Sequence, residues 1–181
     1  MNEISSWLSG LVGANALICE RDSERVTFLA HLIRSPLAGQ WWTVPVDGGL
    51  LADYGLLQNI LLPAQARGDA SAGARLIRWQ QRLAQAGIRP LPQRLDFVEL
   101  SPWQQRLAGF MRVLVADAPA LVFDNTCYGL QADEHRQAAL LHGFFHRYFP
   151  FRPSLYLTVS ALPPELNIPA GNLHSHATTF A

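Results

Sequence analysis

Two histidines, His174 and His176, stand on either side of Ser175. In a strand that spacing puts both rings on one face, an arrangement that serves metal ligation when further ligands converge on it. No third ligand is evident in the sequence, so no metal is expected and the pair reads as solvent-facing. His135, His142 and His146 fall on one predicted helix, the last two four residues apart. The H-E-x-x-H pattern is absent, and these histidines read as helix-surface polarity. Cys127 follows an apolar run and reads as packing rather than as a nucleophile. Cys19 and Cys127 lack C-x-x-C spacing, which fits a reducing compartment. No G-x-S-x-G elbow occurs.

The elements that must position any site alternate in type. Ala14–Cys19 is a short apolar strand, followed by a helix over 24–34 with Phe28, Leu29, Leu32 and Ile33 on one face. Trp41–Val46 is β-branched and aromatic, hence a strand, and Asp47-Gly48-Gly49 a turn. A helical region spans 56–86, interrupted at Pro63 and across 68–73, and Pro90 and Pro92 extend the chain after it. Ser101 caps a helix from Pro102 to about Ala116. The run Pro119–Asn125 is a buried parallel strand, 131–149 a helix and 154–160 a strand. This order predicts an α/β fold, a mostly parallel sheet flanked by helices in one domain over 1–181. The helical stretch of about 56–103 is then an insertion on that sheet.

Composition limits the partners. Of the residues, 49% are hydrophobic and 15% charged, against roughly 25% charged in an ordinary chain. Formal net charge is zero and no basic run exists, so a nucleic-acid or anionic-membrane surface is not expected. The N-terminus lacks the positive region of a signal peptide, and no apolar run is long enough to span a membrane. A cytoplasmic protein is expected.

Several fragments, in order, resemble the ATPase domain of ABC transporters. Leu100-Ser101-Pro102-Trp103-Gln104 resembles the LSGGQ signature with both glycines replaced. Ala120–Asp124 resembles the Walker B strand, with Asn125 in the place of the catalytic Glu. Residues 19–27 fall on the G-x-x-x-x-G-K-[ST] loop, so that Cys19 and Glu24 replace its glycines, Arg25 its Lys and Val26 its metal-binding hydroxyl, with Thr27 following. Val46 stands for the Q-loop Gln, Gln131 for the D-loop Asp and Ala161 for the switch His. The stretch 56–63, after Gly48-Gly49-Leu50-Leu51, is similar to the ATPases of mammalian-cell-entry type lipid transporters. The family's N-terminal antiparallel strands have no counterpart in the sequence.

The resemblance implies a RecA-like P-loop NTPase fold in which the chemistry has been discarded. All fourteen basic residues are Arg, so the loop Lys is missing from the whole chain. Glycines in such a loop let backbone N–H groups wrap a phosphate, which side-chain-bearing residues disfavour. Glu20, Asp22 and Glu24 put negative charge where a triphosphate would lie. Pro102 removes an N–H donor, Trp103 reads as a core or interface anchor, and an amide at Asn125 cannot act as a base. What the resemblance implies is a non-catalytic subunit with no cofactor, peripheral at a membrane through an ABC permease, a competent ABC ATPase subunit, or both. Leu50, Leu51, Leu56, Leu57 and Ile60 are the expected docking residues. The alternative is an active transport ATPase in which Arg25 holds phosphate and Asp124 magnesium, with ATP and Mg as cofactors.

Overall fold

A computed structural model describes residues 3–92, 99–162, 166 and 168–176. Five strands form one sheet in the order β2-β3-β4-β1-β5. These are β1 (Ala14–Ile18), β2 (Trp41–Val44), β3 (Ala120–Asp124), β4 (Ser154–Thr158) and β5 (Leu173–Ser175), and every pairing is parallel. In the middle of the sheet β3 and β4 are buried at all five positions, which is why their sequences run apolar instead of alternating.

The two faces are covered by different helices. α1 (Glu3–Ser9) and α2 (Asp22–Arg34) cover one, where Leu8, Phe28 and Leu32 meet Leu17, Val122 and Leu155. On the other, α3 (Leu56–Ala66), α4 (Ala72–Gln85), α5 (Pro102–Val115) and α6 (Ala132–Tyr148) share a larger core. Its centre is a stack of Phe110, Phe123 and Tyr156, with ring centroids 5.9 and 5.0 Å apart. Trp103 is buried in this core, as an anchor should be.

Several expectations need correction. Pro63 does not interrupt the first helix of the insertion, since α3 continues through it to Ala66. Buried Asn59 instead ties that helix to the preceding loop, accepting from Leu51 N at 2.7 Å and donating to Tyr54 O at 2.8 Å. The residues 93–98 of the expected insertion lie outside the described residues. α1 and β5 were not anticipated, being too short to show a period. His142 is buried against Tyr156, not on the helix surface, and His146 bonds Ser154 Oγ at 2.8 Å. Burial pushes the His142 pKa down to about 3. His174 and His176 do not face solvent freely: His174 packs edge-on against Trp7, and His176 Nδ1 lies 3.8 Å from Glu24.

Candidate functional site

The carboxyl ends of β1 and β3 bring the loop residues and Asp124 together. β1 ends at Ile18 and α2 begins at Asp22, so only three residues turn the chain. The helix expected from Glu24 starts two residues earlier, with Asp22 and Glu24 in its first turn. Acids there are favoured by the helix dipole, which gives them a local structural role.

The short turn commits four of its backbone donors to protein partners, while those of Arg21, Asp22 and Ser23 stay open among the described residues. Cys19 N donates to Thr158 O at 2.8 Å, and Glu24 N and Arg25 N both donate to Arg21 O. Glu20 N donates to the Glu24 carboxylate at 2.9 Å, and the Arg21 guanidinium grips the same carboxylate at 2.9 and 3.1 Å. Those bonds hold the Glu24 carboxyl below its ordinary pKa. A side-chain carboxylate thus occupies the loop N–H. Cys19 is buried beside these acids, and desolvation pushes its thiol up to about 11. Val26 and Thr27 point outward, both exposed.

Arg25 reaches across to β3. Its Nη1 donates to Asp124 Oδ1 at 2.5 Å and its Nε to Asp22 Oδ1 at 2.7 Å. The Asp124 side chain is 6% exposed, so this is a nearly buried pair. Burial pushes the Asp124 carboxyl up while the guanidinium pulls it back; for Arg25 desolvation opposes the charge, and the two carboxylates outweigh it. Asn125, directly after, adopts a left-handed φ of 51°. Asn tolerates that region because its short polar side chain bonds locally. Its N–H donates to Leu157 O at 2.7 Å, and its Oδ1 accepts from Thr158 Oγ1 at 3.4 Å. Ala161 lies just beyond, exposed and without a polar group to offer.

Ser101 and Gln104 serve their own helix. Gln104 N donates to Ser101 Oγ at 3.3 Å, and Ser101 N donates to Gln104 Oε1 at 2.8 Å. This is a reciprocal capping box, in which S-x-x-Q satisfies two donors at a helix start. Both retained signature residues therefore have a structural use in α5.

Two arginines that the sequence reading passed over organise the neighbouring loops. Arg106 is buried, donating from Nε to Val46 O at 2.8 Å and from Nη2 to Tyr128 O at 2.6 Å. Arg112 Nη1 donates to Gly49 O at 2.5 Å. The turn at Gly48 sits so close to α5 that a Cβ there would lie 2.0 Å from Gln105 O, and its φ is +73°. Only glycine permits this approach. Val46 thus offers its carbonyl to Arg106 rather than any side-chain chemistry.

The expected docking leucines divide. Leu56 and Ile60 are buried in the core yet also line the groove described below, and Leu50 packs half-buried beside them. Leu57 and Leu51 are exposed, at 55% and 47%. Leu57 borders an apolar groove of about 430 Å³ between α3 and α4, with Ile77, Leu61 and Leu91 as further walls. Among the described residues no charged side chain lines it. Ile77, expected from sequence on the apolar stripe of α4 with Leu76, Trp79, Leu83 and Ala84, is instead exposed, at 58%.

The parallel sheet and its flanking helices are similar in fold to solved ATP-binding cassettes. A bacterial Atm1-family ABC exporter with ATP bound superposes with a TM-score of 0.58 at 19% identity, over 81% of this chain and 30% of the exporter chain. The ATP-binding cassette MJ0796, in a dimeric post-hydrolysis state bound to ADP and Pi, superposes with a TM-score of 0.59 at 16% identity, over 81% of this chain and 75% of its own. The chain therefore spans less than a third of the exporter's length. No protein-family model matches the sequence. None of the described helices is long and apolar enough to cross a membrane.

Proposed function

We propose that this chain is a non-catalytic ABC-cassette subunit that serves a membrane transport complex by assembly rather than by ATP hydrolysis. The observation that carries the reading is the Arg25–Asp124 pair. The residues fit Mg-ATP poorly. A magnesium ligand must be free to meet the metal, and Asp124 is already held by a tethered guanidinium at 2.5 Å. A phosphate needs open N–H groups; those of Cys19, Glu20, Glu24 and Arg25 have protein partners, and the three that stay open, at Arg21, Asp22 and Ser23, lie among the carboxylates of Glu20, Asp22 and Glu24. The switch and base positions, Ala161 and Asn125, offer no general base. Glu24 and Arg25 together place a carboxylate on the loop and a cation on Asp124, roles that a nucleotide and its metal fill in active cassettes.

What supports a docking role is the groove beside Leu57. Its apolar, uncharged walls suit the apolar face of a short helix, the mode in which one helix lies in another protein's groove. A permease at the inner membrane is the partner we assign, with a competent ATPase subunit as a further member of the assembly. A mammalian-cell-entry type lipid transporter is the assembly that the 56–63 stretch favours, and it would keep this chain peripheral and cytoplasmic. The test is co-purification from the native host of the intact chain and of Leu57→Asp. Association of the unaltered chain with membrane-embedded subunits, lost in a folded Leu57→Asp variant, is expected. A lone monomer, or a complex indifferent to the charge, overturns the proposal.

A further inference from the structure

At the opposite end of β1 from Arg25 lies a second cavity, of about 400 Å³, between α1 and the start of the sheet. That volume is within the range of small-molecule sites, roughly 300–1,000 Å³. β1 is five residues long, so the two ends stand roughly 13 Å apart at about 3.3 Å per step. The cavity is separate from the nucleotide position of the fold and from the groove beside Leu57.

Its floor is Asn15, 3% exposed. The Asn15 Nδ2 donates to Val12 O at 3.2 Å, Gly13 O at 3.0 Å and Ser154 O at 3.4 Å. All three partners are carbonyls, so the amide can face only one way, with its nitrogen toward the backbone. Oδ1 is left without a partner among the described residues. Asn172, which also lines the cavity, repeats the arrangement: its Nδ2 donates to Ala14 O at 2.7 Å, and its Oδ1 has no partner among the described residues. Neither oxygen is sealed from solvent, so each is open to accept a hydrogen bond from a molecule in the cavity.

The side walls are Trp7 and His174, whose rings meet edge to face at 5.1 Å. Trp7 is fixed from behind by Phe28 at 6.2 Å. Ser6 stands at the rim, exposed on α1. Among the described residues no carboxylate, arginine or other permanently charged side chain lines the space, and desolvation lowers the His174 pKa, which favours the neutral ring.

We propose that this cavity is a binding site for a small neutral polyhydroxylated molecule of about monosaccharide size. Two amide oxygens, each turned away from the backbone carbonyl that its own Nδ2 binds, select hydroxyl donors. The Ser6 hydroxyl and the imidazole can both donate and accept, and the aromatic walls cover the ligand's C–H face. The described lining offers an anion or an ammonium ion no fixed charge to pair with. The site owes nothing to nucleotide chemistry, so it stands whether or not the cassette hydrolyses ATP.

The experiment is an NMR titration of the full isotope-labelled chain with D-glucose, glycerol and tetramethylammonium as probes, beside a Ser6→Trp variant that fills the rim. Saturable shifts from a hydroxylated probe, concentrated at residues 6–15 and 172–174 and weakened at least about tenfold in Ser6→Trp, are expected. The localisation in the unaltered chain decides the matter if Ser6→Trp fails to fold. No saturable shift from glucose or glycerol, shifts spread away from those residues, undiminished binding in a folded Ser6→Trp, or a preference for tetramethylammonium would each overturn it.

Discussion

Replacing Arg25 with Met removes the guanidinium while keeping most of the side chain's length. Arg25 is the one hydrogen-bond partner of the Asp124 carboxylate among the described residues, and that side chain is 6% exposed. The variant therefore leaves a carboxylate nearly out of water with nothing to oppose it. Breaking a buried pair in this way costs about 3–5 kcal/mol. For a chain of this length each kcal/mol lowers Tm by roughly 2–4 °C, which puts the expected fall at about 6–20 °C. Asp124→Asn should cost less, because Arg25 keeps Asp22, whose side chain is 64% exposed and can hold the cation in water-facing geometry. Arg25→Met combined with Asp124→Leu should recover most of the loss, since a buried pair exchanged for apolar groups is often neutral. The assay is thermal and urea unfolding of the three variants at neutral pH. A loss below about 1 kcal/mol for Arg25→Met, the scale of a surface pair, would refute the buried clamp.

Further outcomes follow from other residues. Ser101→Ala should lower stability by about 1 kcal/mol through loss of the helix cap, with no effect on nucleotide affinity, as read by urea unfolding with and without Mg-ATP. His142 is neutral in the fold, with its pKa pushed down to about 3, and in the unfolded chain it titrates near the ordinary value of 6.5. The unfolded state then binds more protons between those values, so this contribution is intact above about pH 6.5 and falls by up to roughly 1.4 kcal/mol per unit below it. His142→Phe should flatten that acid slope in unfolding measurements across the window; an unchanged slope would assign the acid sensitivity to other groups.

The fold was legible where long apolar periods exist and opaque where they do not. β3 and the helix after Ser101 could be read directly, because burial on both faces and a capping box leave marks in the residue types. β5 is three residues long and pairs only along β1, so nothing local distinguishes it. The positions of Arg25 and Asp124 were visible as a motif pair, but their direct bond spans 99 residues and depends on the shortened turn at Cys19–Arg21. The same limit hid Arg106, whose two carbonyl partners lie in loops 60 residues before it and 22 after it. Along α3 the sequence did not separate buried Leu56 and Ile60 from exposed Leu57, because an apolar pattern does not say which side of a helix meets the core when both sides carry leucine.

Calorimetric titration of the full chain with Mg-ATP is the measurement that bears most directly on the nucleotide position. With Asp124 held by Arg25 and the Glu20 N–H held by Glu24, no saturable heat is expected through the millimolar range. Micromolar binding that disappears in Asp124→Ala would mean that the clamp opens for nucleotide, and would contradict the account.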